Sequence, residues 1–331
     1  MGQYYPPPQD LSTLLDKLTY DADFDTYVDK AEGLLETGGP TLLTAGSITD
    51  GQVFARSGNT YAGRNIFLEP SNTLFVDGVN GSDLNPLISG YKTIAASMAA
   101  AAGSPGSRIV VSPGTYSESF VLPQYTYLDA RQSTIVSSAS PGITLSNGCV
   151  VEAWAFMPGA GHTSVRMATA GAVATVRCRA ALIAAGSIGV VNVAPTAQVY
   201  FSWDDAQIAA GGHLIGDGAT SSGMFVVNGG RVVATGAGAI GIDVFGVGRV
   251  TGRVSRFIED GGTLTAFKLS ATAMAVIATD EVDCTIAHNV AYGGLLRVVA
   301  GRYEGIQTGS ATILTEPLDS DQSVIAAQVF G

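Results

Sequence analysis

The sequence has little charge and very little lysine. Of its 331 residues, 14% are charged, only four are lysines, and the formal net charge is −11. Nucleic-acid binding depends on clustered lysine and arginine, so we expect no nucleic-acid partner. Much of the negative charge lies in residues 1–36, which hold eight acids and two lysines.

Long apolar runs are also missing. The mean hydropathy is +0.28, yet Gly or polar residues interrupt every stretch before it reaches the roughly 18 apolar residues of a membrane span. The chain also does not open with a basic segment followed by an apolar one. We therefore expect neither membrane insertion nor a signal peptide.

Cysteine and histidine are scarce and scattered. Cys149, Cys178 and Cys284 are odd in number, widely spaced and set in apolar stretches, which predicts buried, reduced thiols. The three histidines are isolated, and none has a partner at metal-ligand spacing. The sequence thus predicts no metal site and no cofactor.

Residues 1–39 form a distinct N-terminal zone with a proline arm followed by two short acidic helices. Leucines recur at helical spacing after Asp10, which is placed to act as an N-cap. Helices this short are not stable alone, so they require copies of themselves or another protein. The residues assigned to this attachment surface are Tyr4, Tyr5, Pro6, Pro7, Pro8, Leu11, Leu14, Leu15 and Leu18.

Residues 40–72 predict a small β module with a hairpin tip at Ser57-Gly58-Asn59. From Thr73 onward, strand-like stretches of four to six residues recur between Gly, Asn, Asp and Ser. No long amphipathic helix follows the one that starts near Tyr91, which argues against βαβ units. The pattern favours an all-β parallel solenoid over an antiparallel sandwich, but the repeat is too degenerate to give a coil length.

The segment "YKTIAASMAAAA" predicts a helix that caps the solenoid. An open solenoid end exposes core residues and unpaired strand edges, and a short apolar helix can cover both. Ile94, Ala95, Met98 and Ala102 are expected to form the covering face. The alternative is a helix packed on the side of a sandwich.

The stretches "LFVDGVNGSDLNP" and "YKTIAASMAAAAGSPGSRIVVSPGTYSESFVL" resemble the start of pectate-lyase-like right-handed β-helices. The resemblance rests on V-D, N-G-x-D, K-T-I and I-x-V-x-P-G-x-Y-x-E, and it covers about 50 residues. It implies a right-handed β-helix, which we place over residues 73–310. We expect the closing residues 311–331 to form a C-terminal β cap or a trimer clasp. The resemblance implies little about chemistry, because this fold includes lyases, hydrolases, adhesins and inert shafts.

The upstream stretch "GSITDGQVFARSGNTYAGR" is similar to linker modules near the N-termini of phage tail fibres, tailspikes and head fibres. This resemblance implies a homotrimer on the virion surface, assembled in the host cytoplasm. Its partners would be capsid or tail proteins and host surface polysaccharide. We expect a non-enzymatic fibre, spike or head decoration; the alternatives are a polysaccharide depolymerase and, with less support, a cellular adhesin.

A depolymerase of this kind needs acids, as a carboxylate pair for hydrolysis or as cation ligands for lysis. Adjacent side chains of a strand point to opposite faces, so Asp204 and Asp205 are not expected to converge, whereas Glu281 and Asp283 share a face. Alternatively, these acids belong to solvated turns. The catalytic candidates are Asp204, Asp205, Asp280, Glu281 and Asp283.

Three further residues are candidates for glycan binding. Trp203 lies beside two acids, as in many sugar subsites. Arg249 and Arg253 are four residues apart and would share one strand face, where they could contact an anionic glycan. The alternative for the arginines is salt bridging between subunits to Glu259 or Asp260.

Overall fold

The structure is a computed structural model that describes residues 52–57, 60–65, 73–84 and 86–315. The chain forms two compact units, Met1–Ser71 and Asn72–Gly331. The attachment residues predicted from Tyr4 to Leu18 lie outside the described residues, and so do residues 316–331.

The first unit contains one described hairpin. Strand β1 (Gln52–Ser57) pairs antiparallel with β2 (Thr60–Asn65), and Ser57 is the partner of Thr60. This pairing confirms the hairpin predicted around residues 57–59.

The described part of the second unit is a 19-stranded sheet wound into a solenoid, with two short helices near its start. The helices are α1 (Pro86–Ser89) and α2 (Ile94–Ala101), and within the described residues no helix is long and apolar enough to cross a membrane. The strands of the first coils are β3 (Thr73–Val76), β4 (Arg108–Val111), β5 (Gly114–Glu118), β6 (Phe120–Val121), β7 (Tyr127–Ser137), β8 (Ile143–Leu145), β9 (Val150–Pro158) and β10 (Thr163–Met167). Those of the later coils are β11 (Val173–Ile183), β12 (Ile188–Asn192), β13 (Gln198–Ile208), β14 (His213–Ile215), β15 (Met224–Ala234), β16 (Ala239–Val244), β17 (Arg249–Glu259), β18 (Leu264–Leu269), β19 (Met274–Val290), β20 (Leu295–Thr308) and β21 (Ala311–Thr315).

The solenoid is a right-handed parallel β-helix of about seven turns. In its central coils, equivalent residues of the long strands are 25 or 26 positions apart: Val173 pairs with Gln198, Gln198 with Met224, and Met224 with Arg249. This confirms the solenoid and supplies the coil length. Strand β21 still pairs parallel with β20, so the solenoid continues past residue 310, where the C-terminal cap was expected to begin.

Each central coil has three faces because its long strand bends. In β11, residues 173–178 pair with β13, Arg179 is skipped, and pairing resumes at residues 180–183. These two segments make the first and second faces, and β12 makes the third. We call the bend at Arg179 and its equivalents the first corner.

Glycine builds the next corner, between the second and third faces. Gly161, Gly186, Gly211, Gly238 and Gly261 all have φ between +64° and +77°. A Cβ is disfavoured in this left-handed region, by about 1–2 kcal/mol per residue. The recurrence of glycine at this position therefore turns the chain once per coil.

Alternate residues of most strands of the second unit fill the interior of the β-helix. Phe201, Phe225 and Phe257 are fully buried, and the rings of Phe257 and Phe267 pack edge to face with centroids 4.9 Å apart. Burial of this kind is the main stabilising term in such a fold. The three cysteines are buried and free, as the sequence predicted.

Helix α2 packs on β3, β4, β5 and β6 and covers the first coil, which confirms the predicted cap. Its covering face differs from the prediction, because Ala95 and Ala102 are exposed. Thr93 is the N-cap, and positions at one, four, five and eight residues after it then face the core. The buried residues are Ile94, Ser97, Met98 and Ala101.

The residues that carry the family resemblance hold this cap in place. The Asp83 carboxylate accepts the backbone N–H groups of Lys92 and Thr93 at 2.8 and 3.0 Å. The Glu118 carboxylate accepts those of the first two residues of α2 at 3.1 and 2.8 Å. Carboxylates at a helix start satisfy unpaired N–H groups and oppose the helix dipole. This part of the motif is therefore structural.

Candidate ligand-binding cleft

A cleft of about 610 Å³ lies at the first corner. It runs along the β-helix axis across five consecutive coils, from Arg131 on β7 to Gly230 on β15. In the central coils the lining comes from the last residues of the first face and from the skipped position of each strand, such as Arg177 and Arg179 on β11.

Trp203 forms the floor of the cleft. It is only 3% exposed, and its indole N–H donates to the carbonyl oxygen of Arg231 at 3.2 Å. The ring lies against Gly229, where an added Cβ would be 2.1 Å from the ring atom Cζ2. Trp203 was predicted to be a glycan-stacking residue, but its ring faces are covered, so it supports the site from below.

Trp154 is the aromatic residue that the cleft exposes. It is 44% exposed, and the Arg179 guanidinium lies over its ring at 4.6 Å from the centroid, a cation–π contact. Both residues occupy the skipped position at the first corner, one coil apart. This pair was not among the residues predicted from the sequence; the signal for it is their spacing of 25 residues.

A second arginine, Arg177, enters the cleft from the first face. Its Nη1 donates to Glu152 at 2.7 Å, and the Tyr127 hydroxyl donates to the same carboxylate at 2.7 Å. Burial opposes ionisation of Glu152, yet these hydrogen bonds hold the pKa of its carboxyl below the usual value. Burial and the bond to Glu152 raise the pKa of Tyr127 to about 12. Glu152 is therefore an ionised, fully engaged group.

The neighbouring acid, Asp129, is engaged in the same way. Arg131 Nε and Arg108 Nη2 contact its carboxylate at 2.7 and 2.6 Å. The hydrogen bond from Arg131 is the main reason that the pKa of Asp129 lies below its usual value. These contacts make a charge ladder that continues through Glu152 to Arg177.

Two neutral polar groups in the cleft are available to a ligand. Ser202 and Asn228 occupy adjacent register positions on β13 and β15. Within the described part of the chain, neither side chain makes a hydrogen bond. A hydroxyl and an amide can each donate and accept, which suits the hydroxyl groups of a saccharide.

Asp204 and Asp205 lie at the first corner, inside β13 rather than in a turn after it. Asp204 lines the cleft and is 77% exposed, with Arg179 Nε at 4.0 Å. Asp205 is on the second face and pairs with Arg231 at 3.1 Å. The bend sends the two carboxylates to different arginines.

The other three candidate acids lie away from the cleft, within β19. Asp280 pairs with Arg253 at 2.8 Å. Glu281 and Asp283 share the second face and both contact Arg302, at 3.0 and 3.2 Å. These acids are thus parts of arginine pairs that link successive coils.

The structure places Arg249 and Arg253 on the exposed side of β17, outside the cleft lining. Arg253 is engaged by Asp280. Glu259 contacts neither arginine: its carboxylate accepts the backbone N–H groups of Leu264 and Thr285 at 2.7 and 2.6 Å. The Glu259 carboxylate therefore links the end of β17 to the start of β18, across the corner between the second and third faces.

Comparisons with protein-family models, curated proteins and solved structures returned no match. Among the described residues, no group of three His, Cys, Asp or Glu side chains is placed to hold a metal ion. The geometry itself therefore defines the site as a surface cleft with arginine forks, a partly exposed tryptophan ring and neutral hydrogen-bonding groups. That composition can bind a polar, extended ligand.

Proposed function

We propose that the chain is a structural protein of a phage virion surface, a homotrimeric β-helix that contacts host surface glycan through the first-corner cleft. The N-terminal region would anchor it to capsid or tail proteins. The support is the β-helix with its dedicated cap, together with the linker-like sequence at residues 46–64.

The observation that carries the glycan contact is the cleft itself. Trp154 offers the part of its ring that Arg179 leaves exposed, while Ser202 and Asn228 offer free hydroxyl and amide groups in the same cleft. Saccharide recognition needs this combination of an apolar platform with a few directed polar groups. The cleft is also open along the axis, which suits a polymer.

The arrangement of the acids favours a binding role over a catalytic one. Hydrolysis of a glycosidic bond ordinarily uses two carboxyl groups that flank the bond. Of the five candidates, only Asp204 lines the cleft. Glu152 also lines it, but that carboxylate is already engaged by Tyr127 and Arg177.

The virion assignment is tested by immunogold electron microscopy of intact particles, with antibody raised against residues 73–315. Gold along the head is expected for a decoration or head fibre, and gold at the tail tip for a receptor-binding spike. Purified particles that contain the chain by mass spectrometry but carry no gold would refute surface display.

The glycan contact is tested by binding of the intact protein to polysaccharide extracted from the host surface. Trp154→Ala is expected to weaken binding about tenfold, because an aromatic platform contributes on the order of 1–2 kcal/mol. Tyr292→Ala is the matched control, since Tyr292 is fully exposed and lies outside the cleft. Equal affinities for the two variants and the native protein would contradict the assignment of the cleft.

A second candidate function, polysaccharide degradation, is favoured by one observation. Asp204 is exposed in the cleft and close to a single arginine, so its carboxylate can reach a ligand there. Release of reducing ends or unsaturated products, abolished by Asp204→Asn while binding persists, would establish catalysis. Binding without turnover in the native protein would rule it out for that polysaccharide.

A further inference from the structure

Three arginines from two coils reach the same cleft. Arg131, Arg177 and Arg179 are on β7 and β11, and their side chains are between 59% and 64% exposed. Lining acids are fewer, namely Glu152 and Asp204. The cleft therefore carries excess positive charge on a chain whose net charge is −11.

The guanidinium of Arg179 has spare hydrogen-bonding capacity. Each guanidinium carries five N–H donors. The one carboxylate near Arg179 in the described residues is Asp204, whose oxygen is 4.0 Å away, beyond hydrogen-bond distance. Its guanidinium carbon lies over the Trp154 ring at 4.6 Å from the centroid, and this contact holds the group in the cleft.

Arg177 completes the arrangement from the neighbouring face. Its Nη1 is engaged by Glu152, and the other donors of its fork have no hydrogen-bond partner in the described chain. The two arginines flank buried Cys178 on β11, so both side chains leave the strand at the same corner.

We infer that the cleft binds the carboxylate of an acidic saccharide, with Arg179 and Arg177 as its donors. This inference rests on the proposed glycan contact and names the class of sugar. Arginine binds carboxylates through parallel N–H···O bonds that a neutral sugar cannot form. The sugar hydroxyls would then meet Ser202 and Asn228.

The test compares the intact protein's affinity for three acidic polymers, polygalacturonate, alginate and hyaluronate, with its affinity for their carboxyl-reduced forms. At least one acidic polymer is expected to bind about tenfold or more tightly than its reduced partner. Arg179→Ala is expected to remove most of that difference, and Arg179→Lys to retain part of it, because lysine keeps the charge and loses the fork. Affinity should also fall as salt rises.

Arg166→Ala is the matched control, because it removes an equal charge from an exposed position on β10, on the third face. It is expected to leave the affinities unchanged. Far-UV circular dichroism and the unfolding midpoint of each variant establish that it is folded.

Three outcomes would overturn the inference. One is equal affinity for the acidic polymers and their reduced forms. If Trp154→Ala abolishes that binding, the proposed glycan contact is retained and only the preference for an acidic sugar is refuted. Another is equal loss of affinity in the Arg179 and Arg166 variants, which would indicate a non-specific charge effect. The third is that none of the acidic polymers binds to the protein. Surface display on the virion is tested independently, by gold labelling.

Discussion

Replacing Gly229 with alanine should destabilise the β-helix at the floor of the cleft. The added Cβ would lie 2.1, 2.3 and 2.6 Å from Cζ2, Cε2 and Cη2 of Trp203, distances that non-bonded carbon atoms do not tolerate. The ring has little freedom to retreat, because it is buried and stacks at 4.8 Å on Phe201. Its indole N–H is also bonded to the Arg231 carbonyl.

The expected loss follows from these contacts. Overpacking a well-filled site costs about 1–3 kcal/mol. Displacing the ring also breaks the indole hydrogen bond, which contributes about 1 kcal/mol. The free energy of unfolding should therefore fall by about 2–4 kcal/mol.

Urea unfolding followed by far-UV circular dichroism, at a fixed protein concentration, measures this change. Trp203→Phe should relieve the clash, so the double variant should be more stable than the sum of the single effects by about 1 kcal/mol or more. Gly103→Ala is the control, since no atom lies within 4 Å of its Cβ position. A loss below about 0.5 kcal/mol for Gly229→Ala, or strict additivity in the double variant, would refute the assigned packing.

Three more predictions concern the cap, the glycine corner and the charge ladder. Glu118→Ala should lower the free energy of unfolding by about 1–2 kcal/mol, as for the loss of a helix cap; unchanged urea midpoints would contradict the capping role. Gly186→Ala should cost about 1–2 kcal/mol because φ is +65° there with no steric contact, whereas Gly103→Ala should cost nothing; equal effects in thermal unfolding would count against the corner argument. The pKa of Asp129 is lowered by Arg131, so its contribution is complete above the unfolded-state pKa of about 3.9 and is lost as pH falls through the folded-state value. The stability difference between the native protein and Asp129→Asn should accordingly shrink below about pH 4, and a difference that grows on acidification would show that the sign is wrong.

The coil length was encoded in the sequence but concealed by degeneracy. "AAG" occurs at residues 184–186 and again at 209–211, which is one coil apart. Both glycines have positive φ at the same corner. Other coils use different residues around this glycine, and insertions change the spacing, so the repeat is not obvious by inspection.

The capping helix could be predicted from local sequence patterns, but its buried face could not. The apolar residues of "YKTIAASMAAAA" predicted a helix that covers the first coil, and the structure confirms it and shows Thr93 as its N-cap. The predicted covering face of the helix differs from the observed one by a fraction of a turn. Whether Ala95 or Ala101 faces the core depends on how the helix packs against β3 and β6. Alanine itself carries no directional signal.

The cleft could not be predicted, because it depends on register between coils. Trp154 and Arg179 are distant in the sequence and meet only because both occupy the skipped position of a bent strand. The bend also decided that Asp204 faces the cleft while Asp205 meets Arg231.

Short strands, small turn residues and one alanine-rich helix indicated, by themselves, a parallel solenoid with an N-terminal cap. These are local properties: strand period, turn conformation and helix capping each act within a few residues. Only the tertiary structure decided which side chains converge, because parallel stacking aligns residues 25 positions apart and an error of one position reverses the face on which each lies. Trp203 is the clearest case, since its neighbours in sequence suggested an exposed platform, whereas Gly229 in the next coil made room to bury it.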